Sequence, residues 1–273
     1  MLLLGGLTLL VIFDLKKSEE TVSRITSLNL NDIQQIQIKQ KNKPIITFEL
    51  KNQHWFITSP IQAVASPTKI ERLLKISQIP NPVSYPLSSD QKADYGLENP
   101  NIELSFNQTT LALGTIESVN SRRYIGVADT LSLLADTFIH LINTPVNNFI
   151  DTRLITDNAQ ITRLSTAQFE LVIDDNNRWR DVLNTSEENT SLPSDDVQTL
   201  LDEWHFARAI SVSLTTDLET PKEDIFIHLE NDEVIHFVIQ KNKSGAVLQL
   251  FGTSLYYHFS LTKLEKLLNL PTS

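Results

Sequence analysis

One pattern, written twice, constrains this chain more than any other feature. Ile33, Ile36 and Ile38 open an alternating strand, and Ile45, Ile46, Phe48 and Leu50 follow as a second. Asn52-Gln53-His54-Trp55 turns the chain into a third, Trp55-Phe56-Ile57. Further on, Ile161 and Leu164 open a strand, Phe169, Leu171 and Ile173 alternate in the next, and Asp174-Asp175-Asn176-Asn177 turns into Trp179. Alternation with period two between polar turns is the signature of strands with one buried face.

A helix follows in both copies. Ser66-Pro67 is a cap residue followed by proline at the first helical position, and Ile70, Leu73 and Leu74 form one apolar face. In the second copy Ser194 stands as the cap, and Val197, Leu200, Leu201 and Trp204 fall at i, i+3, i+4 and i+7. Strands return around Ile102–Phe106, Leu111–Leu113 and Tyr124–Val127, and again around Ile225–Leu229, Ile235–Ile239, Val247–Leu250 and Leu255–Tyr257. Each copy is expected to close on a helix before a proline, Leu131–Ile142 before Pro145 and Leu261–Leu268 before Pro271.

The landmarks keep step. Trp55 and Trp179 are offset by 124 residues, Leu73 and Leu200 by 127, Pro145 and Pro271 by 126. The reading is an α+β chain of two tandem α/β repeats with mostly antiparallel sheets, 31–155 and 156–273, with Trp55 and Trp179 filling equivalent core positions. A single large α+β domain is the alternative, and the fold class is the same under both. The polar stretch Thr185–Ser194 is expected to be the least ordered.

Ahead of the repeats, residues 2–13 (LLLGGLTLLVIF) carry no charge, and Asp14, Lys16 and Lys17 end the run. Apolar residues on every side predict a membrane helix over residues 1–17 rather than an amphipathic one. A dozen helical residues span only roughly 18 Å of a ~30 Å hydrocarbon core. Further apolar residues and a basic end are therefore expected upstream of Met1. Lys16 and Lys17 follow the run and by themselves favour a cytoplasmic body; an N-terminal anchor with an upstream basic end favours a periplasmic one.

Several functions are disfavoured by composition. A formal net charge of −10 repels phosphate backbones, and no run of four basic residues occurs, so nucleic acid is not an expected partner. With no cysteine there is no disulfide, thiolate metal site or cysteine nucleophile. Neither GxGxxG nor GxxxxGK[ST] occurs, which leaves the usual phosphate-cradling loops out.

Trp55-x-Ile57-x-x-Pro60, the Ile70–Leu74 helix, Tyr95-Gly96-Leu97-Glu98-Asn99-Pro100, Leu113-Gly114, Tyr124-Ile125-x-Val127 and Phe149-Ile150-Asp151-x-Arg153-Leu154 occur in that order. The set resembles the bacterial domain-of-unknown-function family numbered 4340, well over about residues 30–155 and more loosely in the second copy, which lacks the YGLxxP element. The resemblance implies an N-terminal membrane helix, an envelope location and an accessory role beside ABC-transporter subunits of the gliding-motility type. It supplies no catalytic residues.

Within that element, Gly96 suits a turn with φ > 0 and Pro100 launches the next strand, so packing explains Tyr95, Gly96, Leu97 and Pro100 as well as binding does. They are the candidate binding motif. A three-residue hairpin loop between Ile225–Glu230 and Val234–Ile239 would set His228 opposite His236, with Glu230 nearby. Two imidazoles are too few for a metal site, and no third ligand has a suitable spacing. No GxSxG elbow occurs. No catalytic, cofactor or metal residues are assigned. The expected function is a non-enzymatic, membrane-anchored periplasmic interaction or scaffold protein accessory to an ABC transporter. The alternative is a ligand-binding accessory subunit with its pocket between the repeats.

Overall fold

The computed structural model describes residues 23–81, 83–155, 159–174, 176, 178–183, 193–216, 223–242 and 245–270. The expected anchor at residues 1–17 and most of the polar stretch 185–194 lie outside the described residues. Among the described residues no helix is long and apolar enough to cross a membrane. The chain divides into two compact units, one ending at Thr144 and one starting at Pro145.

The first unit runs β1 (Gln35–Gln40), β2 (Ile46–Lys51), β3 (His54–Ser59), β4 (Ala63–Val64), α1 (Pro67–Ile76), β5 (Ser84–Pro86), β6 (Ile102–Phe106), β7 (Thr109–Ile116), β8 (Arg122–Val127), β9 (Thr130–Ala135) and α2 (Ile139–Ile142). Its antiparallel sheet has the order β4-β3-β2-β1-β6-β7-β8-β9-β5. The second runs β10 (Ile161–Ser165), β11 (Glu170–Ile173), β12 (Trp179–Asp181), α3 (Ser194–His205), β13 (Ser211–Ser213), β14 (Glu223–Leu229), β15 (Val234–Asn242), β16 (Gly245–Leu250), β17 (Tyr256–Phe259) and α4 (Leu261–Leu268). Its order is β12-β11-β10-β14-β15-β16-β17-β13. Remove β4 and the two orders are the same, strand for strand. In each, a three-strand meander lies beside a four-strand meander, and the strand that follows the helix crosses to the far edge.

Alternation sets the faces. Ile36, Ile38, Phe48, Ile57, Leu104, Phe106, Leu111 and Ile125 share one face of the first sheet and are buried, as are Ile70, Leu73 and Ile76 of α1. Ser66 precedes α1 in extended conformation, but its side chain makes no capping hydrogen bond. In the second unit Ile225, Ile227, Phe237, Ile239 and Leu248 form the inner face, and Val197, Leu200, Leu201 and Trp204 of α3 are all buried. Helix α4 occupies the expected residues, with Ser260 capping the Lys263 N–H.

Three expectations need correction. Leu131–Ile142 is not one helix: Thr130–Ala135 is strand β9, paired with both β8 and β5, and only Ile139–Ile142 is helical. Ala128 at φ +50° opens a two-residue turn that sends the chain back along β8, and the ladder on both sides overrides helix propensity. Trp55 and Trp179 are half-buried strand residues, whereas Trp204 is the fully buried tryptophan.

The unit boundary also lies earlier than the sequence suggests. Residues 145–155 pack with the second unit, where Phe149, Ile150, Leu154 and Ile155 are buried. Arg153 bridges Arg208 just after α3, as Arg24 bridges Pro80 just after α1, so each unit begins with the same short extended entry.

Candidate interaction groove on the second unit

The YGLxxP element closes a tight turn after a short 3-10 helix, Ser89–Gln91. Gly96, at φ +68°, donates its N–H to the Ala93 carbonyl, and Leu97 donates to Lys92 across a wider ring, the double bond of a Schellman cap. The cap lands on β7 and β8. Thr115 donates its backbone N–H to the Tyr95 carbonyl at 2.9 Å. A Cβ at Gly114 would stand 2.1 Å from that carbonyl oxygen, so only glycine admits the approach. Leu97 joins Leu87 and Leu131 in a small cluster, with Tyr95 tilted against Tyr124 at 4.8 Å between ring centres. Tyr95, Gly96 and Leu97 are thus brought together in packing, and Pro100 lies half-buried just before β6.

The hairpin of β14 and β15 forms two residues out of the expected register. Phe226, not His228, faces His236, and His228 faces Val234. Asp232 at φ +64° and the Asn231 side chain, which accepts the Glu233 N–H, place the loop one residue earlier. His236 lies stacked between Phe226 and Phe251, each ring centre 4.2 Å away, with Nε2 2.7 Å from an Asp224 carboxylate oxygen. No group of three or more metal-ligating side chains converges among the described residues. Nearby, Ser213 Oγ donates to the Thr215 carbonyl at 2.6 Å and lies 2.7 Å from His258 Nε2.

A feature that sequence reasoning missed is a groove of about 570 Å³ where the last turn of α3 overhangs the β10–β12 end of the sheet. Ile161, Ile173 and Trp179 line the sheet side, and Leu201, Asp202 and Phe206 the helix side. Phe206 is 70% exposed, immediately after the helix, with His205 edge-on to its ring at 4.8 Å. A large exposed aromatic ring on a groove wall is the informative departure from ordinary burial. Its only sequence signal is the phenylalanine that follows the end of the α3 stripe.

Charge is divided unevenly. Residues 1–144 hold 13 basic and 13 acidic side chains, and residues 145–273 hold 10 and 20, so the whole net charge of −10 belongs to the second unit. Among the described residues neither lysine nor arginine lines the groove. Arg178 and Arg180, on the turn and strand beside it, are bonded to Asp174, and the Arg180 guanidinium holds that carboxyl far below the usual carboxylate range.

A family model described as Domain of unknown function (DUF4340) matches residues 55–220. The chain belongs to the DUF4340 family. In this DUF4340 protein the matched span starts at Trp55 in β3 and runs past β13, so it takes in the Schellman cap, the entry to the second unit and every residue of the groove. No curated protein and no solved structure matches the chain.

Proposed function

We propose that this DUF4340 protein is a non-enzymatic interaction protein of the cell envelope, anchored by residues 2–13, with both units in the periplasm as an accessory to an ABC transporter. The observation that carries the reading is the second unit's groove, a recess of mixed polar and apolar lining walled by an exposed phenylalanine on a strongly acidic unit. Exposed apolar side chains rimmed by polar ones mark association sites. The uncharged run at residues 2–13 supports the anchor.

Two experiments test it. Alkaline phosphatase fused after Ser273 should be active, and an inactive fusion would place the body in the cytoplasm. A pull-down from detergent-solubilised membranes should recover ABC-transporter subunits. Recovery of none, with the chain running alone in the membrane fraction, would sink the accessory role.

A further inference from the structure

We propose that the cleft between α1 and α2 of the first unit binds the anionic headgroup of a membrane phospholipid, with Arg72, Lys75 and His140 donating to its phosphodiester. This rests on the anchored reading above and specifies what the body touches at the membrane.

The duplicated topology accounts for the cleft. In the second unit α4 closes directly on α3: the Trp204 indole donates to the Leu267 carbonyl at 2.8 Å, and Glu203 holds both Lys263 and Lys266. In the first unit α2 is a single turn. Ser77 stands 127 residues before Trp204, and Ile76 the same distance before Glu203, the offset that relates Leu73 to Leu200. A hydroxymethyl group replaces the indole, and an isoleucine replaces the carboxylate that binds the second helix. A cleft of about 250 Å³ is left between α1 and α2.

Its lining is apolar below and cationic at the rim. Arg72, Lys75, Ile76 and Ile79 fall at i, i+3, i+4 and i+7, so one flank of α1 and the turn after it presents them together. Phe138 and His140 line the opposite wall. Among the described residues no aspartate or glutamate lines the cleft, the reverse of the second unit's groove. Lys75 is shared with Glu71 at 2.6 Å, whereas Arg72 is exposed and makes no hydrogen bond or ion pair among the described residues. A free guanidinium fork matches the geometry of a phosphodiester. The volume lies below the ~300–1,000 Å³ of pockets that enclose drug-sized molecules, so it suits a headgroup and not a whole lipid. The tether selects the source. Arg24 bridges Pro80, and Ile25 donates its N–H to the Ile79 carbonyl at 2.9 Å, so the chain enters the unit at a residue of the cleft itself. Nine residues, 14–22, separate that entry from the uncharged run at 2–13 and reach at most roughly 30 Å. An anchored chain therefore holds the cleft within reach of headgroups at high effective concentration, an advantage that free phosphate does not share.

The test titrates the full chain, in non-ionic detergent, with dioctanoyl-phosphatidylglycerol and counts bound lipid by native mass spectrometry. One saturable adduct is expected, weakened about tenfold by Arg72→Ala and several-fold by Lys75→Ala. Arg72→Lys should restore only part of the loss, since an ammonium lacks the fork. Both residues are exposed, so neither change should disturb the fold. Dioctanoyl-phosphatidylcholine, whose headgroup carries its own cation, should bind several-fold more weakly. Absence of a saturable adduct, equal binding of the two lipids, or indifference to Arg72→Ala would overturn the proposal. So would displacement of the lipid by equimolar inorganic phosphate, which would make this a free-phosphate site, or by an equimolar leucine–glutamate peptide, which would make it a protein interface. A chain that fails these lipid tests while its phosphatase fusion stays active would leave the anchored reading standing while this one falls.

Discussion

Replacing Trp204 separates two contributions that the fold of the second unit combines. Trp204 is fully buried on α3, and its indole N–H donates to the Leu267 carbonyl at 2.8 Å. Helix α4 ends at Leu268, so that carbonyl is one of the last four and has no partner within its own helix. Trp204→Phe keeps an aromatic ring in the core but strands a buried acceptor, at a cost of about 1–3 kcal/mol. Trp204→Ala also opens a cavity and should cost about 3–5 kcal/mol. With a urea slope of about 2 kcal/mol/M, the Phe variant's midpoint should fall by roughly 0.5–1.5 M and the Ala variant's by more. Trp179 reports this unfolding by fluorescence, and Trp55 reports the first unit, whose transition should not move. A Trp204→Phe midpoint equivalent to within about 0.5 kcal/mol of wild type would show that the carbonyl is satisfied by other means. An Ala variant no worse than Phe would refute the packing contribution.

Gly114→Ala should destabilise the first unit by about 2 kcal/mol or more, because its Cβ meets the Tyr95 carbonyl at 2.1 Å, whereas Gly126→Ala meets the ends of the Leu97 and Leu87 side chains, at 3.2 Å and 3.5 Å, and should cost less than about 1 kcal/mol in urea unfolding. Arg123 bonds Asp136 and the Gly114 carbonyl with both charged side chains mostly buried; Arg123→Ala should cost about 3–5 kcal/mol, and the double change Arg123→Met, Asp136→Leu should recover most of it. Burial, and secondarily the Asp151 carboxylate, pushes Tyr257 up to about 12. The folded state then favours the neutral phenol, so its contribution is complete below the unfolded value near pH 10 and is lost as pH rises towards 12, by about 2–3 kcal/mol. Urea midpoints across that window should fall for the wild type and flatten for Tyr257→Phe.

Much of this fold is written locally. The α3 stripe, the extent of α4 and the buried faces of β1, β2, β6, β14 and β15 follow from periods of 3.6 and 2, because each depends only on which side chains recur along a few turns of one element. The glycine and tyrosine of the YGLxxP element could be read as a turn. That the turn docks on Gly114 could not, since the approach joins residues distant in sequence.

Where two segments must agree, sequence was not enough. The hairpin of β14 and β15 keeps its faces when slid by two residues, so alternation could not choose its register; the left-handed Asp232 in the loop did. The segment Thr130–Ala135 is rich in leucine and reads as helix until β8 and β5 offer hydrogen bonds on both sides. Strands β4, β5 and β13 are only two or three residues long, too short to show any period, and exist because a neighbouring strand supplies their partners. The groove belongs to the same class: Trp179 and Phe206 become one surface only when α3 folds back over the end of its sheet, and no spacing along the chain encodes that distance.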